Sequence, residues 1–256
     1  MAHQSRTLIA LLLTLGLAVL FLPSVVTAGP PKPPAGSCIG TDACTGNTGS
    51  LQTNACVGPF ACENNAGSIN KDACHGDVSC QLNTGAVGVG ACQGFEACQN
   101  NAGTVAKGAC VGPDACQGNT GAVGEGACIS VSPGNSATCQ GNAGQISKHA
   151  CQGFSACFLN EGSVGENSCV GTVACHDNSS AIAKNSCHGT AACENVQGNV
   201  SAGSCNGNAA CAFAGADGAI GTNACNGDRA CANNPGPIAA FTCNGPPVGG
   251  KGICEP

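Results

Sequence analysis

The chain has 256 residues, of which 24 are Cys and 40 Gly, with no Trp or Tyr and a charged fraction of only 9%. So few charges exclude a charge-driven disordered chain, the Gly lack the every-third-residue period of collagen, and the composition lies outside the usual range of a soluble enzyme. Eight Lys+Arg against 14 Asp+Glu leave a net charge of −6; with no basic footprint for phosphates and no Tyr or Trp to stack bases, no nucleic-acid partner is expected.

Residues 1–28 read as a signal peptide. His3 and Arg6 precede an apolar run from Leu8 to Leu22, and Val26, Thr27 and Ala28 set up cleavage after Ala28. The run is about 15 residues, short of the ~20 that cross a bilayer, and no later segment is continuously apolar for longer. A secreted, extracellular protein with no membrane span is expected. Residues 29–36, with Pro30, Pro31, Pro33 and Pro34, read as an extended linker.

Residues 37–256 form a Cys-rich repeat domain. Cys38, Cys44, Cys56, Cys62, Cys74, Cys80, Cys92, Cys98, Cys110 and Cys116 alternate gaps of 6 and 12, an 18-residue period. The metre resumes after longer gaps at Cys128 to Cys139, Cys211 to Cys225 and Cys243 to Cys254, and holds through Cys151, Cys157, Cys169, Cys175, Cys187, Cys193, Cys205 and Cys231. A fixed period of this size means stacked repeats, each too small to bury its own core.

Within a repeat, short stretches alternate small and inward apolar residues, the period-2 signature of a strand. Two inward rows are Cys, and the third is aliphatic: Leu51, Ile69, Val87, Val105, Val123, Ile146, Val164, Ile182, Val200, Ile220 and Ile238. Gly this dense argues against helix. The fold class expected is therefore all-β, a single parallel β-solenoid of about 12 three-sided coils. Gly stands two residues after the first Cys of a coil, with Ser130 the one departure, suiting a corner of positive φ. Asn stands three after the second Cys, from Asn47 through Asn178, and can stack into an amide ladder that breaks at Val196 and Ala214.

The three short sides resemble the hexapeptide β-helix in period, although two sides carry Cys and the third is offset by one residue, which leaves the handedness open. The Cys-x5-Cys pairs are similar to those of the beetle hyperactive antifreeze proteins, a resemblance that implies a disulfide across the inside of each coil and an ice-binding face. On the residues alone, within-coil pairing is the expectation because 24 Cys fall into twelve pairs. Bridges between equivalent Cys of neighbouring coils also fit the ~4.8 Å spacing of stacked chains. The pairs Cys128/Cys139 and Cys243/Cys254, with insertions inside the loop, are the ones most exposed to error.

No residue set announces catalysis, so no enzyme, cofactor or metal site is expected. The best local clusters are His176, Asp177 and Glu194, and His75 with Asp77, both read as solvated surface positions. Cys-x5-Cys is not the Cys-x2-Cys spacing of zinc sites. One corner row reads Lys107, Glu125, Lys148, Glu166, Lys184, placing opposite charges on successive coils. Asn178 and Asn199 match the N-glycan acceptor pattern. The candidate functional surface is a flat face of small residues on either side of the aliphatic row: Ser68, Asn70, Ala86, Gly88, Thr104, Ala106, Ala122, Gly124, Ser163, Gly165, Ala181 and Ala183. The function expected is that of an extracellular structural or surface-interaction protein; the alternatives are ice binding through that face, self-association, and Cys-based metal binding.

Overall fold

A computed structural model describes residues 32–130 and 137–245. From Pro33 onward the described residues belong to one compact unit; the expected signal peptide and residues 29–31 of the linker lie outside the described residues. None of the described helices is long and apolar enough to cross a membrane, because no helix is present among the described residues.

The expected all-β solenoid is not what forms. Among the described residues there is no sheet; successive repeats touch through isolated parallel bridges, one row running Leu51, Ile69, Val87 and onward to Ile238, the other Ile39, Val57, His75 and onward to His188. The reason lies in the backbone. In the repeat that opens at Cys56, the left-handed region holds Asn54 (φ 56°), Cys56 (φ 61°), Phe60 (φ 55°) and Asn64 (φ 54°), and Gly58 sits at φ 136°. A strand needs consecutive residues in the β region. Val57 is therefore flanked on both sides by residues that cannot continue one, and pairing stops after a single residue. On the aliphatic side, Ser68-Ile69-Asn70 is caught between a bend at Gly67 and the left-handed Asp72.

The same alternation keeps the repeats in register without a sheet. From Gly58 to Asn65 every second N–H aims at the preceding coil, and those between, of Ala61, Glu63 and Asn65, bond the carbonyl three residues back in their own coil; on the aliphatic side N–H groups also reach the following coil. Gly58, Phe60, Cys62 and Asn64 donate to Ile39, Thr41, Ala43 and Thr45 at 2.7–2.8 Å, while Thr48 donates to Asn65 at 2.8 Å and Gln52 to Ile69 at 3.0 Å. This pattern satisfies the backbone groups that a strand ladder would otherwise satisfy.

The core is four rows deep: the two half-cystine rows, the aliphatic row and the Asn row, with Ala such as Ala55, Ala61, Ala91 and Ala97 fully buried beside the sulfurs. Asn65, Asn83, Asn101, Asn119, Asn142, Asn160 and Asn178 are also fully buried. Each donates from Nδ2 to Oδ1 of the Asn one coil earlier, at 2.7–2.8 Å. The second N–H of each goes to a carbonyl two residues on, as from Asn101 to Gly103 at 2.9 Å. That Gly row is there for room. A Cβ on Gly103 would stand 1.9 Å from the Gly121 carbonyl oxygen and 2.5 Å from Asn119 Nδ2. Ser180 departs from the row where the Asn row ends at Val196.

Gly103→Ala is accordingly expected to lower stability by about 3 kcal/mol through overpacking. Gly108→Ala, at φ 62° with nothing within 4 Å of its would-be Cβ, should lose only the ~1 kcal/mol of a left-handed side chain. Denaturant midpoints of the two variants check this; equal shifts would remove the steric account of the Gly row.

Candidate functional site

Eleven disulfides join the two Cys of each repeat from Cys38–Cys44 to Cys225–Cys231, with Cα–Cα distances of 5.4–5.8 Å. The pairing is within coils, not between them. Cys128–Cys139 closes across its insertion at 5.8 Å. Cys243 is also disulfide-bonded, and Cys254 lies outside the described residues. Sulfur triplets such as Cys74, Cys80 and Cys92 come close enough to hold an ion, but these sulfurs are spent in disulfides and none of the described Cys is free. Many intrachain disulfides fit an oxidising compartment.

The small-residue rows run on either side of the buried aliphatic row. Ser68, Ala86, Thr104, Ala122, Ser163 and Ala181 are exposed, and Asn70, Gly88, Ala106, Gly124, Gly165 and Ala183 are half-buried. The half-burial has a cause: a Cβ on Gly88, Gly124 or Gly165 would lie 2.5–2.7 Å from backbone of the next coil. A further exposed row, Thr48, Thr84 and Thr120 alternating with Ala66, Ala102 and Ala143, lies one bend away and was not among the expected face residues. Its signal was available, since these residues stand two positions before the exposed row at the same 18-residue period.

The expected charged clusters come together only in part. His176 Nδ1 lies 3.1 Å from Asp177 Oδ2, and the His176 ring stacks on Phe158 with centroids 5.1 Å apart; Glu194 makes no described contact with either. His75 turns away from Asp77 and pairs through Nε2 with the Asn54 carbonyl at 2.6 Å. In the charged corner row the one described ion pair is Lys148–Glu125 at 3.7 Å, with both side chains about half exposed; a pair of that kind adds little stability. Asn178 is sealed, with its Nδ2 donating to Asn160 and to the Ser180 carbonyl, whereas Asn199 is exposed and its Oδ1 accepts from the Ala181 amide.

A second ordered row runs along the cysteine side. Gln99 donates to Gln81 and Gln117 to Gln99 at 2.8 Å, Gln140 donates to Gln117, and Gln81 ends the chain on Glu63 at 2.5 Å. All these amides point the same way, toward the carboxylate, which meets the positive end of the aligned dipoles. Gln117 also reaches Glu96 at 2.6 Å. One coil on from Glu96, Asp114 is buried, and desolvation, reinforced by the Glu96 charge, holds its carboxyl above the usual range. A carboxyl raised on folding stabilises the folded state while it is protonated, and that contribution is lost as pH rises through the carboxylate range. Asp114→Asn, which suits the left-handed φ of 55° there, should raise the denaturant midpoint at about pH 7 and leave it little changed at about pH 3. An equal shift at both pH values would rule out the charge as the cause.

Toward the end of this row, Gly141, Ala143, Leu159, Glu161, Asp177, Asn178 and Ser179 line a shallow cavity of about 310 Å³. No curated protein and no solved structure matches the chain. One protein family does, described as a domain of unknown function, DUF7640, over residues 36–148, 133–201 and 175–252. The overlapping matches follow the repeats from first to last, and the chain belongs to this family.

Proposed function

We propose that the protein is exported and acts without catalysis, as a disulfide-laddered extracellular structural or surface-interaction protein. The observation that carries this reading is the regularity of its outer rows. Small exposed residues stand at the same position in coil after coil beside an unbroken aliphatic row, while the titratable groups of the described residues are spread over several rows and their ion pairs are isolated. A repeated surface of this kind suits a repeated or extended partner, because each coil presents the same contact at the same spacing. The leader-like sequence of residues 1–28 and the disulfides support export.

The test has two readouts. Intact mass of the protein from the medium of the producing cells, before and after reduction, is expected to show a chain starting at Gly29 with every Cys bonded. The protein is also expected to sediment with the insoluble extracellular material of those cells, and Ala86→Lys/Thr104→Lys/Ala122→Lys, which leaves the core intact, should reduce that fraction at least several-fold. Retention inside the cells, or sedimentation indifferent to all surface variants, would overturn the reading. A second reading, ice binding, is favoured by the exposed Thr48, Thr84 and Thr120 beside the row that holds Thr104; no inhibition of ice recrystallisation at about millimolar protein would end it.

A further inference from the structure

The side of the coil that carries the disulfides is chemically unlike the small-residue face. Nine large apolar side chains are exposed among the described residues, and six of them, Phe60, Leu82, Phe95, Phe154, Leu159 and Phe213, lie on this side. Leu82 and Leu159 directly follow members of the row Glu63, Gln81, Gln99, Gln117, Gln140, Phe158 and His176, in which every side chain ends in a planar group, and Phe60, Phe95 and Phe154 precede members of it by three or four residues. Contact between the row and its border is direct at Gln117, which bonds Glu96 in the neighbouring row.

From these rows we infer a binding track for a neutral, extended polysaccharide running along the stack. The amide row leaves one donor hydrogen of Gln81, Gln99 and Gln140 without a described partner, and each carbonyl oxygen accepts no more than one bond, so three of the four Gln retain a donor and an acceptor valence; Gln117 has both hydrogens engaged, on Gln99 and Glu96. A ligand rich in hydroxyls, which donate and accept in turn, matches that repeated pair. Exposed Phe and Leu beside such groups offer apolar faces for the C–H faces of sugar rings, the arrangement of anchors and polar contacts that wet interfaces use. Charge weighs against a polyanion: Glu63, Asp77 and Glu96 lie on this side with Arg229 as its one described Lys or Arg, and Lys71, Lys107, Lys148 and Lys184 all stand in a different row. The coil spacing of about 4.8 Å is close to the length of one sugar in an extended β-1,4-linked chain, so successive coils would meet successive rings.

The inference rests on the surface-interaction reading and adds to the small-residue face a second contact, on the cysteine side. The full mature protein is incubated with suspensions of amorphous cellulose and of chitin, and the protein left in solution is measured. Retention by at least one is expected, with the apparent affinity lowered about ten-fold or more in Gln81→Ala/Gln99→Ala and in Phe95→Ser/Phe154→Ser, and unchanged in Lys107→Ala/Lys184→Ala, exposed positions of the charged row. Complete disulfide formation by intact mass shows that the variants fold. No retention of the unaltered protein by either suspension overturns the track. Retention abolished only by the small-residue variants also overturns it, yet leaves the surface-interaction reading standing. If the Gln and Phe variants instead dissociate an oligomer seen by sedimentation, the side is a contact between copies and the track falls.

Discussion

Full reduction at neutral pH, with no denaturant, is expected to unfold the repeat domain. Each coil fills its interior with one Ile or Val, a few Ala and the half-cystines, which is little apolar surface to set against ordering 18 residues. Closing a six-residue loop adds about 2 kcal/mol per bridge by restricting the unfolded chain, and in a stack where each coil touches its neighbours these local contributions accumulate. Reduction should begin at one end. Cys38 and Cys44 are half-buried, whereas the bonded Cys from Cys56 to Cys231 are at most 1% exposed. Timed alkylation mapped by mass is expected to label Cys38 and Cys44 first, followed by cooperative loss of protease resistance. A fully reduced and alkylated chain that kept its resistance would mean that the core and the amide rows suffice.

The disulfide pairing was legible because a Cys-x5-Cys loop can bring two Cα atoms to the 5.4–5.8 Å that a bridge needs. The Asn row was legible for a similar reason: one residue type recurring at one corner has a single neighbour to bond, itself one coil away. What could not be read was the absence of strands. Alternation of inward and outward residues is the usual mark of a strand, but a backbone that puts every second residue at positive φ along part of the coil, as at Asn54, Cys56, Gly58 and Phe60, yields the same alternation. Several of the residues that adopt the left-handed region here, such as Phe60, Val78 and Leu82, are types that seldom do so, and the Cys at the head of each coil gave no local hint. The Thr48, Thr84 and Thr120 row escaped for the opposite reason: the Gly that separates it from the small-residue face bends the chain, so flatness judged along the sequence stopped one residue short. The Gln row was visible as composition, yet its single direction and its ending on Glu63 depend on which amide faces which, and that is a property of the stack.

Asn119→Ala is expected to have the largest effect of any single substitution in the interior. Asn119 Nδ2 donates to Asn101 Oδ1 at 2.8 Å and to the Gly121 carbonyl at 2.9 Å, and its Oδ1 accepts from Asn142 at 2.8 Å. Removing the amide leaves an oxygen of Asn101, the Gly121 carbonyl and an N–H of Asn142 without these partners, all in fully buried surroundings. At 1–3 kcal/mol for each buried group left unmade, and with some relaxation, a loss of about 4 kcal/mol follows. The chain tolerates an apolar side chain in this row only at its end, where Val196 follows Asn178 and the Asn178 Oδ1 is taken by the Ser180 amide. Asn119→Val, isolated between two Asn, should therefore be nearly as damaging as Ala, although it fills more of the space. If Val restored most of the denaturant midpoint lost in the Ala variant, the row would act by packing volume; if both lose the same, the continuous amide chain is what the interior requires, and the coils on either side of Asn119 should then exchange their amide hydrogens faster than coils near Asn65.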